Sequence, residues 1–394
     1  MANLPLLPVA EAQARLLALA PMLSAERLPL VDAAGRYLRA PAIARRTQPV
    51  ADLSAMDGYA IRFADMPGPW RVIGESAAGH GFGGAMGAGE AVRIFTGAPL
   101  PPGADTVLVQ EEAARDGDTL RLAGEGPAYR TRNVRARGLD FHEGDVLGAT
   151  GDLLTPARLA LAATGAVGEV EVGRPVRVAL AATGDELVEP GSDAPGLPES
   201  NRLMLRAMLR DLPAEFVDLG ILPDRLDVLT RVFTDVAADA LVTTGGASVG
   251  DHDLVRPALE AAGAKIDFWR IALRPGKPMM AGRRGDCVVV GLPGNPVSAF
   301  VTGLLFVRPL VAALAGARDP FPHATRATLG EPLPANGPRT DYVRAELRDG
   351  LLYVATIQDS SMLATLARAT CLVVRAPHAP AMAAGESADI LVIA

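Results

Sequence analysis

The stretch DALVTTGGASVGDHDLVRPAL, residues 239–259, decides the fold class. ALVTT is an unbroken apolar and β-branched run of strand length, and the glycines after Thr244 end it abruptly. Asp251 and Asp253 then stand as helix-starting residues ahead of an apolar-periodic segment. Strand, glycine turn and helix in that order make one unit of an open α/β sheet, where ligands bind just beyond the carboxyl ends of the strands. Gly245, Gly246 and Gly250 let the backbone come close to a ligand, and exposed N–H groups there suit a phosphate. A glycine turn followed by an acidic cap accounts for the same letters without any ligand.

The rhythm on either side is regular from about residue 175 onward. Strands are expected over 176–184, 214–220, 265–273 and 287–294, and helices over 200–212, 224–238, 253–263 and 295–316. Such alternation gives a doubly wound parallel sheet covered by helices on both faces. Upstream, residues 43–140 hold short β-rich runs separated by Gly/Pro clusters, so an all-β unit is expected there. Residues 8–22 read as an amphipathic helix through Val9, Ala12, Leu16, Leu19 and Leu23. Residues 156–164 read as a short helix with Thr155 as N-cap and Pro156 at its first position. From about 320 short alternating strands return (YVRAEL, LLYVAT, CLVVRA, DILVIA), pointing to a terminal β-domain.

Composition narrows the function classes. The chain has 394 residues, 49% of them apolar, enough for two or three domains with sizeable cores. Lys+Arg of 38 against Asp+Glu of 45 leaves a net charge of −7, which argues against nucleic acid or an anionic membrane as partner. Only two lysines occur, Lys265 and Lys277. Two cysteines, Cys287 and Cys371, and five scattered histidines give no zinc or disulfide framework. The first 21 residues lack a basic start, and the apolar stretch 301–317 contains Arg308 and Pro309 and is read as too short to span a bilayer. A soluble, cytoplasmic protein is expected.

Three further strand ends join the glycine turn. RIALRPGKPMM (270–280) brings together Arg270, Arg274 and Lys277, cations that would attract an oxyanion or a phosphate if they converge. GLPGNPVSAF (291–300) puts Gly-Asn-Pro at a strand-to-helix junction with Ser298 in the first turn. ATGDELVEPG (182–191) supplies Thr183, Asp185 and Glu186 after the first strand of the α/β unit. Carboxylates and cations around one crevice suit Mg²⁺-assisted phosphate chemistry, although each alone is also an ordinary cap or exposed turn. In the all-β unit, SAMDGYAI (54–61), RIFTGAPLPPGAD (93–105) and RGLDFHEGD (137–145) present Asp57, Thr96 and Asp140 in turns. Local chemistry alone makes these hairpin turns.

Together, SAMDGYA, RIFTGAPLPPGAD, RGLDFHEGD, ATGDELVEPG, TTGGASVGDHD, PGKP and GLPGNPVS resemble, in order, the molybdopterin molybdenumtransferase family, the MoeA type related to the gephyrin E domain. RTDYVRAEL (339–347) and IQDSSML (357–363) fit its terminal domain. The resemblance implies a multidomain α/β plus all-β chain. Residues 1–22 form a helix packing with the α/β domain, 23–42 and 141–174 a discontinuous elongated linker, and 43–140 an all-β insertion. Residues 175–319 form a MogA-like molybdopterin-binding domain, and 320–394 a C-terminal β-barrel. It implies a homodimer whose cleft is shared between the α/β domain of one subunit and the all-β unit of the other. The molybdopterin adenylyltransferase and cofactor-receiving enzymes are the implied partners, with no nucleic acid and no membrane.

The implied reaction inserts molybdate into adenylylated molybdopterin with Mg²⁺ and releases AMP. By motif, the catalytic set is Asp57, Thr96, Asp140, Glu186, Asp224, Asp253 and Lys277. Substrate binding falls to Thr183, Gly184, Asn201, Gly245, Gly246, Ser248, Gly250, Pro293, Gly294 and Asn295. Molybdate falls to Arg270, Arg274, Lys277, Ser298, Arg344 and Ser360, and the metal to Glu186, Asp224, Asp251 and Asp253. Many members carry lysine where this chain has Arg270 and Arg274, so a planar fork replaces a point charge. Two alternatives stand beside the transferase: a molybdopterin-binding scaffold without activity, and an adenylyltransferase sharing the α/β domain. The all-β insertion and terminal barrel favour the transferase over the second, and the intact acids over the first.

Overall fold

The protein, seen in a computed structural model, is described over residues 6–246 and 254–393. Its central sheet has six strands in the order Ala214–Leu222, Val176–Thr183, Ala240–Thr244, Cys287–Leu292, Met280–Arg284 and Lys265–Trp269. The first four run parallel. Successive residues of the central strands enter different cores: Val178, Leu180, Val242 and Val290 face one side, and Ala179, Ala181, Leu241 and Val289 the other. Burial on both faces explains why these strands read as continuous apolar runs. Helices Asn201–Met208 and Pro296–Ala315 cover the first face, with Val9, Ala12 and Leu16 of helix Val9–Leu19 beside them. Helices Leu226–Asp235 and Val255–Ala261 cover the second.

One strand escaped the sequence reading. Met280–Arg284 runs antiparallel to both Lys265–Trp269 and Cys287–Leu292, because the Pro-Gly turn before it masks MMAGRR as part of a loop. The doubly wound sheet therefore carries one antiparallel strand, and the basic turn 270–279 still opens on the carboxyl edge.

The long core helix, Pro296–Ala315, falls on the expected span 295–316. Pro296–Ala315 is 20 residues with a mean hydropathy of 1.9, long and apolar enough by length and composition to cross a membrane. This corrects only the reading of the stretch 301–317 as too short to span a bilayer. Its residues are mostly buried within the protein, which is where a core helix of such composition belongs. A wide π turn at Gly303–Val307 interrupts it just before Pro309. That proline lacks an N–H, and its ring would collide with the carbonyl of residue 305 in a regular helix.

The all-β unit is a six-stranded sheet in the order Thr106–Val109, Gly58–Ile61, Glu90–Ile94, Trp70–Ser76, Thr119–Leu122 and Ala113–Asp116. The connecting region pairs Ala25–Pro29 with Glu169–Gly173. It also contains helix Pro156–Thr164, whose Thr155 hydroxyl accepts the Arg158 N–H at 3.4 Å, as the sequence pattern predicts. At the C-terminus, Thr340–Arg348, Leu351–Val354, Thr325–Leu329, Ser387–Val392 and Cys371–Arg375 form a barrel that closes through pairing of the first and last. A short strand at Leu273–Arg274 pairs in parallel with Thr340–Asp341 and ties the barrel to the basic turn.

Candidate active site

The topology itself marks a crevice. Chain leaving Val176–Thr183 crosses one face to reach Ala214–Leu222, while chain leaving Ala240–Thr244 crosses the other face through Val255–Ala261. Between these neighbouring strands the winding reverses, and an open α/β sheet binds ligands outside that reversal. Thr183, Gly184, Gly245 and Gly246 stand on its rim. Gly245 has φ +87°, and a Cβ there would lie 2.4 Å from the Thr183 carbonyl oxygen. Gly246 has φ +56°, and its Cβ would lie 3.0 Å from Thr183 Oγ1. Only glycine permits both the left-handed backbone and this approach.

Gly294 closes the crevice from the next strand, within 3.5 Å of Gly245 as measured from an added Cβ. Asn201 Nδ2 donates to the Gly294 carbonyl at 2.8 Å. The reverse amide orientation would set two oxygens together, so Oδ1 is the free end. That Oδ1 and the Thr183 hydroxyl are both buried without a hydrogen-bond partner among the described residues. Unsatisfied buried acceptors are rare and point to a missing ligand or water. Pro293 is buried in the same turn and Asn295 is exposed on it. Ser248, Gly250, Asp251 and Asp253, expected in this site, lie outside the described residues.

Carboxylates gather at the outer end. The Asp224 N–H donates to Asp185 Oδ1 at 3.1 Å, and the Glu186 carboxylate folds back over Gly184. Burial pushes the Asp224 carboxyl above its ordinary value, and repulsion from Asp185 and Glu186 adds to the rise. A hard divalent cation relieves that repulsion, so the donor set suits Mg²⁺ in kind. Among the described residues no three His, Cys, Asp or Glu side chains come together closely enough to hold a metal ion by themselves.

The cations do not assemble as one cluster. Arg270, at φ +85°, and Lys277 flank a tight loop in which the Ile271 N–H donates to the Lys277 carbonyl at 3.0 Å. Lys277 is half-buried and makes no ion pair among the described residues. Arg274 instead forms an ion pair with the buried Asp341 of the barrel. Burial raises the Asp341 pKa against the opposing influence of Arg274.

Three residues expected to contact molybdate, Arg344, Ser360 and Ser298, are buried or already hold contacts within the protein. Arg344 is 1% exposed. Its guanidinium donates to the Gln358 side chain and to the carbonyls of Ile357, Asp359 and Met362, so it shapes the loop rather than facing an open site. Burial lowers its pKa. Ser360, on that loop, accepts from Asn295 Nδ2 at 3.1 Å through its hydroxyl and from the Val297 N–H at 3.0 Å through its carbonyl. Its hydroxyl therefore takes the Asn295 Nδ2 donor and keeps its own O–H to give. Ser298 is 5% exposed beneath this junction.

In the all-β unit the sequence named two turns separately, and the structure joins them. Asp57 Oδ1 accepts from the Thr96 N–H at 2.7 Å and its hydroxyl at 2.8 Å. Strand register explains this, because Gly58 pairs with Ile94. The two Thr96 hydrogen bonds, with help from nearby Arg93, hold the Asp57 carboxyl below the ordinary range. Arg93 was missed. Its guanidinium lies over Tyr59 and Phe95 and donates to the Gly58 carbonyl and Gln110. Its one local signal is Phe95 two residues further along the chain; Tyr59 comes from the paired strand, where it lies opposite Arg93. Asp140 is exposed, and no hydrogen bond or ion pair among the described residues joins it to Asp57. If Asp57 acts as an anion, Thr96→Val removes one of its two hydrogen bonds. A depressed carboxylate stays charged until pH falls through its folded value, so the acid limb of the activity profile moves to higher pH. An unmoved limb would show that Asp57 ionisation is not being read.

Residues 7–166 match the MoeA N-terminal region (domain I and II), 179–313 a probable molybdopterin binding domain, and 326–393 the MoeA C-terminal region (domain IV). The chain is 35% identical over 378 residues to the molybdopterin molybdenumtransferase of Haemophilus influenzae, covering 93% of each. The chain belongs to the molybdopterin molybdenumtransferase family. A Staphylococcus aureus protein of the same name is 30% identical over 400 residues, covering 98% of this chain and 95% of that one. Among solved structures, the molybdopterin biosynthesis moeA protein of Pyrococcus horikoshii superposes with a TM-score of 0.83 at 25% identity, covering 99% of this chain and 100% of that chain. Membership in this enzyme family agrees with the doubly wound domain, the all-β unit and the closed terminal barrel.

Proposed function

We propose that this molybdenumtransferase-family enzyme inserts molybdate into adenylylated molybdopterin in a Mg²⁺-dependent step that releases AMP. The observation that carries the reading is the switch-point crevice, where two glycine turns, neighbouring carboxylates and the Thr183 hydroxyl and Asn201 Oδ1, both without a partner among the described residues, meet. The Gly184 and Gly245 N–H groups bond the Leu222 and Leu292 carbonyls, so phosphate oxygens fall to the other N–H groups of these turns, and Asn201 holds the Gly294 turn at the width the ligand needs. Glu186 and Asp224 would hold the cation, which supplies charge neutralisation at the phosphoanhydride. Lys277 and Arg270 attract the molybdate dianion. The dithiolene sulfurs belong to the substrate, so neither cysteine of this chain is needed.

The decisive assay mixes purified protein with adenylylated molybdopterin, Mg²⁺ and molybdate, and follows AMP together with reconstitution of a molybdenum-free enzyme. Coupled AMP release and reconstitution is the expected result. ATP consumption with free molybdopterin would mark an adenylyltransferase, and neither product a scaffold. In the same assay Lys277→Ala raises the molybdate requirement by about one to two decades, the worth of one charge-assisted contact. Affinity for the adenylylated pterin stays nearly constant. An equal loss in both would move Lys277 to the phosphate.

A homodimer with a shared cleft is part of this reading. No hydrogen bond or ion pair among the described residues links the Asp57–Thr96 pair to the sheet crevice of the same chain, which leaves that pair available to a second copy. Light scattering at micromolar concentration is expected to give a dimer. An active monomer would count against a shared cleft.

A further inference from the structure

The acid loop and the Asn201 clasp meet on one buried side chain. Arg202 is 7% exposed and Glu199 3%. Ser200 gives helix Asn201–Met208 no side-chain cap. Instead the Glu199 carboxylate accepts the N–H groups of Asn201 at 2.7 Å and Arg202 at 3.1 Å. The Arg202 guanidinium grips that carboxylate at 3.1 Å through Nε and Glu189 at 2.7 Å through Nη2, and its Nη1 donates to Asp218 on the neighbouring strand. Glu189 follows the two-residue strand Leu187–Val188, which pairs with Leu197–Pro198. In that ribbon the Leu197 N–H donates to the carbonyl of Glu186 at 2.8 Å. One guanidinium thus ties the acid loop to the start of the helix whose Asn201 reaches across to Gly294.

Three carboxylates around one buried cation are a poor source of net stability, since apolar side chains of similar volume serve as well. What they specify is geometry. We propose that Arg202 is a positioning residue for substrate binding, fixing the Asn201–Gly294 clasp against the Asp185–Glu186 loop without touching substrate. The proposal rests on reading the crevice as the adenylylated-molybdopterin site. Lysine in its place keeps the charge but offers a point donor where a planar fork now reaches three acids.

The test is a double-mutant cycle on the full-length protein. Binding of adenylylated molybdopterin is measured with and without Mg²⁺ for the parent, Arg202→Lys, Asn201→Ala and the double variant, with thermal melting of each. If Arg202 acts through Asn201, Arg202→Lys weakens binding about tenfold with melting near the parent's, and less than about twofold when Asn201 is already alanine. Additive losses, or parental binding by Arg202→Lys, overturn the proposal while leaving the substrate assignment intact. A parent that does not bind the probe at all removes the functional reading and the proposal together. The arms without Mg²⁺ separate both results from a failure of the metal assignment.

Discussion

Glu186→Gln is expected to lower AMP release from adenylylated molybdopterin by on the order of 10²–10³-fold, because charge neutralisation at a phosphoanhydride is worth several kcal/mol of barrier. The substitution keeps the side-chain volume and removes one negative charge from a cluster that already repels itself. The Asp224 carboxyl is raised by burial and by its acidic neighbours. A raised acid costs folding stability as pH climbs from its ordinary value through the raised one, since the folded state then loses a proton it prefers to keep. Glu186→Gln relieves part of that repulsion, so the metal-free variant should melt no lower than the parent at neutral pH. Activity and stability therefore move apart, which is the signature of a functional carboxylate. Added Mg²⁺ should stabilise the parent and have little effect on the variant. Parental turnover by Glu186→Gln would leave it as an ordinary turn residue.

Much of this site was legible because its parts lie at strand ends, and strand ends are written in glycine. TTGG after a β-branched run located Gly245 and Gly246, and ATGDE located Thr183 and Glu186. What the letters could not carry was partnership across long sequence separations. Arg344 looks like a free cation in RTDYVRAEL, yet its donors are taken by the loop 357–362. Arg274 reads as part of a basic triplet, but barrel pairing at Leu273–Arg274 swings it to Asp341. Asp57 and Thr96 read as two unrelated turns until register puts them at one end of adjacent strands. Arg202, within a strongly amphipathic helix, offers no motif of its own, since its acids come from three separate segments. Local chemistry predicts turns well, and side-chain commitments only after the sheet order is known.

Gly245→Ala provides the sharpest test that the crevice geometry, rather than any one side chain, makes the site. At φ +87° a Cβ costs roughly 1–2 kcal/mol in backbone strain alone. Here it would also meet the Thr183 carbonyl at 2.4 Å, a backbone atom that cannot rotate away. The strand ends must separate, and the Gly245 N–H bond to the Leu292 carbonyl, now 3.2 Å, lengthens with them. The total cost is expected to be about 2–4 kcal/mol. Substrate affinity should fall by about two decades, because the N–H groups meant for phosphate no longer point into one cradle. Gly220→Ala is the control. It sits at φ +74° in the same sheet with nothing within 4 Å of its added Cβ. Backbone strain is its only expected cost, about 1 kcal/mol, with binding unchanged. Equal losses of affinity in the two variants would mean that general destabilisation, and not the shape of the switch-point crevice, governs binding.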